Sequence, residues 1–267
     1  MKIGIFDSGL GGLIVLKAIK KKLPQYDYAY LGDTKRLPYG NRTPEAVYKY
    51  ATECVDYLFR NGCELIIVAC NTVSSEALRK LQQVYLPKKY PNRRILGVIV
   101  PTLEEVRQKK LSHIAIIGTT ATVHSKAYIK QLKKIDSSIK VSQKATPLLV
   151  PMIEKHELKK AEAVLKSYLE SLLKKNPKAI VLGCTHYCLL KNEAEKFVGK
   201  NVAILSQDDI IPKKLKIYLK KHPEITTKLS KKGTIQLLAT KVSPVYNTLA
   251  KEWFGKSASL KLVRLKP

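Results

Sequence analysis

No apolar run in this chain approaches the ~18 residues that would cross a bilayer as a helix. Acidic side chains are scarce, with 21 Asp and Glu against 49 Lys and Arg. There is no CxxC pair and no strongly glycine-rich or low-complexity linker, and the five cysteines make an odd number. Each shortage excludes something. With neither a spanning run nor an export signal, the chain is expected in the cytoplasm and off the membrane, where thiols stay reduced. An odd cysteine count without CxxC argues against a disulfide framework and a thioredoxin-like redox pair. The lack of acid leaves a formal net charge of +28, which predicts solubility and some attraction to polyanions. The lysines are spread as pairs along the whole chain, such as Lys88-Lys89, Lys133-Lys134 and Lys220-Lys221, and are not interleaved with aromatics. Nucleic-acid contact is therefore expected to be at most weak, salt-sensitive and non-specific.

What is present is a sequence of 267 residues, 45% hydrophobic, enough for one large domain or two smaller ones. Short apolar runs at 3–6, 28–31, 65–69, 95–99, 114–117, 141–145, 179–182, 202–205 and 234–238 read as strands. Helical patterns lie between them. The segment 44–60 carries Pro44 at a first-turn position, and Val47, Ala51, Cys54, Val55 and Leu58 recur at helical spacing. The segment 157–173 repeats the pattern. This alternation predicts an α/β fold with mostly parallel sheets. Lys2-Ile3-Gly4-Ile5-Phe6-Asp7-Ser8 corresponds to His113-Ile114-Ala115-Ile116-Ile117-Gly118-Thr119, and each is followed at a similar distance by a cysteine at a strand end. Two similar α/β domains are expected, with the active site in the cleft between them. One would span 1–96 plus 207–267, the other 97–206, in tight contact.

Those two cysteines carry the chemistry. Cys70 ends Leu65-Ile66-Ile67-Val68-Ala69 and Cys184 ends Ala179-Ile180-Val181-Leu182-Gly183. Each precedes hydrogen-bonding residues and a helix start, a setting that exposes sulfur to a cleft and activates it. Cys54 and Cys63 read as core packing. Cys184, His186 and Cys188 stand as Cys-x-His-x-Cys, which matches no common zinc pattern, so no metal is expected. Covalent catalysis by one cysteine with His186 leaves the other strand-end thiol without a role. A two-base proton exchange uses both: a thiolate takes the proton from one face of a carbon, and a thiol returns one to the other face. Asp7 and His186 would tune or relay protons to Cys70 and Cys184, while Asn71, Thr72 and Thr185 would hold a carboxylate. Gly9, Gly11 and Gly12 fit neither the dinucleotide nor the P-loop spacing. They suggest a tight turn whose amides hold a carboxylate or orient Asp7 and Ser8.

The motifs Gly4-Ile5-Phe6-Asp7-Ser8-Gly9-Leu10-Gly11-Gly12, Gly32-Asp33 with Leu37-Pro38-Tyr39-Gly40, Val68-Ala69-Cys70-Asn71-Thr72, Gly118-Thr119 with Ala121-Thr122-Val123, and Leu182-Gly183-Cys184-Thr185-His186-Tyr187 stand in a specific order and spacing. Over nearly its full length the chain resembles the cofactor-independent glutamate racemases. The resemblance implies interconversion of L- and D-glutamate, with Cys70 and Cys184 as the catalytic acid/base pair, assisted by Asp7 and His186. It implies a substrate site formed by Asp7, Ser8, Pro38, Tyr39, Gly40, Asn71, Thr72, Thr119, Thr122, Thr185 and His186. It also implies that no pyridoxal phosphate or metal is needed, that D-glutamate goes to peptidoglycan, and that the chain forms a homodimer whose mode of association the family does not fix. His186 and the Asp7-Ser8 pair favour glutamate over aspartate. Val73, Ser74 and Cys188 depart from the family pattern, at positions flanking the site.

Overall fold

Runs such as Leu65-Ile66-Ile67-Val68 and Ile180-Val181-Leu182 have no polar face, so a strand made from them must be covered on both sides. A computed structural model, which describes residues 1–265, shows how this is done. Among the described residues ten strands form: β1 (Lys2–Asp7), β2 (Tyr28–Gly32), β3 (Cys63–Val68), β4 (Arg94–Gly97), β5 (His113–Gly118), β6 (Lys140–Ala145), β7 (Ala179–Gly183), β8 (Ala203–Leu205), β9 (Ile235–Ala239) and β10 (Lys261–Leu262). They make a six-stranded sheet in the order β10-β9-β2-β1-β3-β4 and a four-stranded sheet in the order β6-β5-β7-β8. Every strand pair is parallel.

The second sheet repeats the inner order of the first. Strands β2-β1-β3-β4 correspond one to one with β6-β5-β7-β8, and β9 and β10 are added beside β2. Alternate residues of each strand enter different cores, as the two-residue period of a strand requires. Phe6, Ile66 and Val68 pack under the helix Pro44–Arg60. Ile114, Ile116 and Val181 pack under the helices Ile99–Gln108 and Ala127–Ile135. The opposite faces, with Ile5, Ile67, Ile117 and Leu182, share one continuous core with the helices Gly12–Lys22, Leu158–Leu173 and Gln207–Lys221. That shared core holds the two sheets together.

Two boundaries differ from expectation. The apolar run 95–99 stops being a strand at Gly97, because Ile99 opens a helix with Pro101 in its first turn, where a missing N–H costs nothing. A side chain at Gly97 would place Cβ 2.3 Å from Leu78 Cδ2, so glycine lets a neighbouring helix close on the strand end. The strand β10 is only two residues long and carries no period to read. The helix Pro44–Arg60 begins as its sequence suggests, with Thr43 Oγ1 accepting from Ala46 N at 3.3 Å.

Candidate active site

In a parallel sheet the loops diverge where strand order reverses, leaving a crevice at the carboxyl ends. Each sheet here has one such point, between β1 and β3 and between β5 and β7. A cavity of about 70 Å³ draws its walls from both. From the first sheet come Ser8 after β1, and Cys70, Asn71 and Thr72 after β3; from the second come Thr119 after β5, and Cys184, Thr185 and His186 after β7. Pro38, Tyr39 and Gly40 close one side. Both thiols therefore reach one cavity from opposite sheets.

The two thiols sit in unlike surroundings. Ser8 Oγ lies 3.2 Å from Cys70 Sγ. Burial and the nearby Asp7 charge push the Cys70 thiol up to about 12, outweighing the hydrogen bond from Ser8. It rests protonated. Cys184 Sγ instead lies 3.7 Å from His186 Nδ1, and His186 Nε2 lies 3.1 Å from Glu154 Oε1. Burial opposes charge on that imidazole, but its bonds to Cys184 and Glu154 prevail and raise His186 well above the usual histidine value. His186 is thus a proton carrier beside Cys184.

Asp7 is placed differently from expectation. It does not line the cavity. Its Oδ2 accepts from Gly12 N at 3.0 Å and Gly9 N at 3.4 Å, so the glycine turn holds the chain's own carboxylate and leaves none of those amides for a phosphate. Burial raises the Asp7 carboxyl, opposed by the charge of His186 and by those amides. Thr122 also lies behind the wall: it is fully buried, with its Oγ1 2.9 Å from Thr119 Oγ1. Thr119 Oγ1 in turn lies 2.9 Å from Thr72 Oγ1, a hydroxyl chain that ties the sheets across the cleft. Asp33 is likewise a support. It accepts from Tyr39 and Arg36, and at 2.7 Å from Thr240, and so fixes the loop that presents Pro38 and Gly40. A Cβ at Gly40 would stand 3.0 Å from the Thr119 Cβ, so the loop can approach only as glycine.

Cys188 turns away from the cavity, with Ser206 Oγ donating to its sulfur at 3.3 Å. Among the described residues no three His, Cys, Asp or Glu side chains gather as metal ligands. Glu154, at the end of the helix Leu149–Glu154, is the functional side chain that the sequence did not disclose. Its replacement by glutamine is expected to lower the pKa of His186. Because His186 serves while protonated, the alkaline fall of kcat/KM should then move to lower pH with the neutral plateau kept. A pH profile of E154Q whose alkaline limb coincides with wild type would refute this pairing.

Residues 13–206 match the model of the Asp/Glu/Hydantoin racemase family. The chain is 39% identical over 236 residues to the glutamate racemase of Roseobacter denitrificans, covering 84% of this chain and 87% of that one. It superposes on a glutamate racemase isoform from Bacillus anthracis with a TM-score of 0.89 at 30% identity, covering 99% of this chain and 97% of the other. It superposes on the Francisella tularensis glutamate racemase in complex with D-glutamate with a TM-score of 0.87 at 29% identity, covering 98% and 97%. The family model spans both strand-end thiols, and the relatives extend over most of the chain: it belongs to the Asp/Glu/Hydantoin racemase family, among its glutamate racemases.

Proposed function

We propose that this enzyme interconverts L- and D-glutamate by two-base proton transfer between Cys70 and Cys184. The observation that carries the reading is that the two thiols line one cavity from opposite sheets, one beside the Ser8 hydroxyl and one beside the His186 imidazole. A thiolate at Cys184, facing the His186 imidazolium, removes the α-proton on its side. The protonated Cys70 delivers a proton to the opposite side, and the configuration inverts. The carbanionic charge is brief and is met by hydrogen-bond donors in a site that admits little water. Substrate carboxylates face Asn71, Thr72, Thr185 and the amides of the adjacent helix starts. After one inversion the proton sits on the other sulfur, so the enzyme must take the mirror-image substrate or exchange protons with water before repeating the same direction.

The reading carries further expectations: D-glutamate supplied for peptidoglycan, a cytoplasmic location, a homodimer, and the domain division at 97 and 206. Among the described residues no helix is long and apolar enough to cross a membrane. The deciding experiment incubates the purified chain with L-glutamate, and separately with D-glutamate, in D2O. Loss of optical rotation should accompany deuterium entry at Cα without added cofactor. Absence of both with either enantiomer would overturn the assignment, and faster turnover of aspartate would move it to another acidic substrate.

A further inference from the structure

We propose that Gln207 and Tyr128 are positioning residues that lock the carboxamide of Asn71 so that its NH2 group is offered to a substrate carboxylate. The proposal rests on the glutamate racemase reading. Asn71 opens the helix Asn71–Glu76 directly after the strand-end Cys70 and lines the cavity. Its Oδ1 accepts two hydrogen bonds, from Tyr128 Oη at 2.8 Å and from Gln207 Nε2 at 2.8 Å. The two donors come from separate elements, and neither follows β3 as Asn71 does. Tyr128 stands on the helix Ala127–Ile135, and Gln207 begins the helix Gln207–Lys221 just after β8.

The orientation of the amide follows from the tyrosine. Tyr128 is fully buried, and among the described residues the acceptor for its hydroxyl proton is the Asn71 oxygen. Turning the Asn71 amide over would strand that proton. The oxygen is therefore held between Tyr128 and Gln207, and Asn71 Nδ2 is left buried without a protein partner. A buried N–H without an acceptor is costly, and a ligand carboxylate at the cavity supplies one. Gln207 Oε1 also has no partner, so this side chain serves through its NH2 group alone. Gln207 and Asn71 are 1% and 2% exposed, which keeps water from replacing either bond.

Glutamate at position 207 has the same shape and no amide donor. Its oxygens would face the Asn71 oxygen, and the amide would rotate to answer them, turning its own oxygen toward the substrate. The experiment measures glutamate racemisation and melting temperature for wild type, Q207E, Q207L, N71A and Q207L/N71A in the full chain. Q207E should raise KM at least about tenfold with a smaller change in kcat, and Q207L less. In the N71A background, Q207L should add no further rise, because the group it positions is gone. An unchanged KM in Q207E, a loss of melting temperature with KM intact, or multiplying effects of Q207L and N71A would each overturn the proposal. Should Q207E not fold, the Q207L cycle decides alone. A wild-type enzyme that left glutamate unchanged would fail the underlying reading instead, and the two failures are told apart in one assay.

Discussion

Serine in place of Cys70 or Cys184 will lower inversion of glutamate by about a thousandfold, the scale of one lost general acid or base. The hydroxyl is close in size and keeps the local packing, so the melting temperature should hardly change. Its proton is far too tightly bound to leave a base behind at neutral pH. Both directions must slow together, because each thiol is the base for one enantiomer and the acid for the other. Isotope exchange separates the two faces. In D2O the C70S variant retains Cys184 and His186, and should exchange the α-proton of one enantiomer with little inversion. C184S should exchange the other enantiomer. Loss of one thiol without loss of inversion would mean that a single group works on both faces, and the arrangement of Cys70 and Cys184 across the cavity would need another explanation.

Gly11→Ala is expected to be nearly as damaging, though Gly11 does no chemistry. An added Cβ would stand 2.4 Å from Thr185 Oγ1 and 2.8 Å from His186 Nδ1. Neither neighbour has room to retreat. Thr185 and His186 are buried at 3% and 5% exposure, and His186 is braced by Glu154 and by the Trp253 ring, edge-on at 5.7 Å. The methyl group must push the imidazole off Cys184 or spread the two sheets apart. Misplacement on that scale costs about a hundredfold in kcat/KM. Alanine at Gly9, where the added Cβ meets nothing nearer than 3.5 Å, should cost much less. Equal kinetics for G11A and wild type would show that the loop after β1 is free to move.

Why these contacts were partly visible in the sequence is a matter of range. The central strands β3, β5 and β7 carry unbroken apolar runs, and burial on both faces leaves such a run little choice. The repeat was visible at Asp7 and Gly118 because a strand end forces small or polar residues at a fixed place. The glycine turn was legible as a turn, and orienting Asp7 was one of the uses its spacing left open; the amides of Gly9 and Gly12 take that one. Glu154 gave no such sign. Its helix is six residues long, and an acid at its end resembles any solvated charge until His186, 32 positions away, is brought beside it. Gln207 and Tyr128 were hidden for the same reason: their partner Asn71 lies 136 and 57 positions distant. The position of Asp7 behind the wall was also out of reach, because sequence order reveals the strand end but not the direction in which its carboxylate turns.

The unequal company of the two sulfurs has a kinetic consequence. In water the enantiomers of glutamate have the same free energy, so equilibrium is a one-to-one mixture, and the Haldane relation forces equal kcat/KM for the two directions. Ser8 on one side and the imidazole with its carboxylate on the other cannot favour either product. They can only divide the shared quotient differently: the enantiomer deprotonated by Cys184 should bind and turn over with one pair of constants, the one deprotonated by Cys70 with another. A racemate held far from saturation would conceal that asymmetry. Progress curves begun from each pure isomer at saturating concentration would display it.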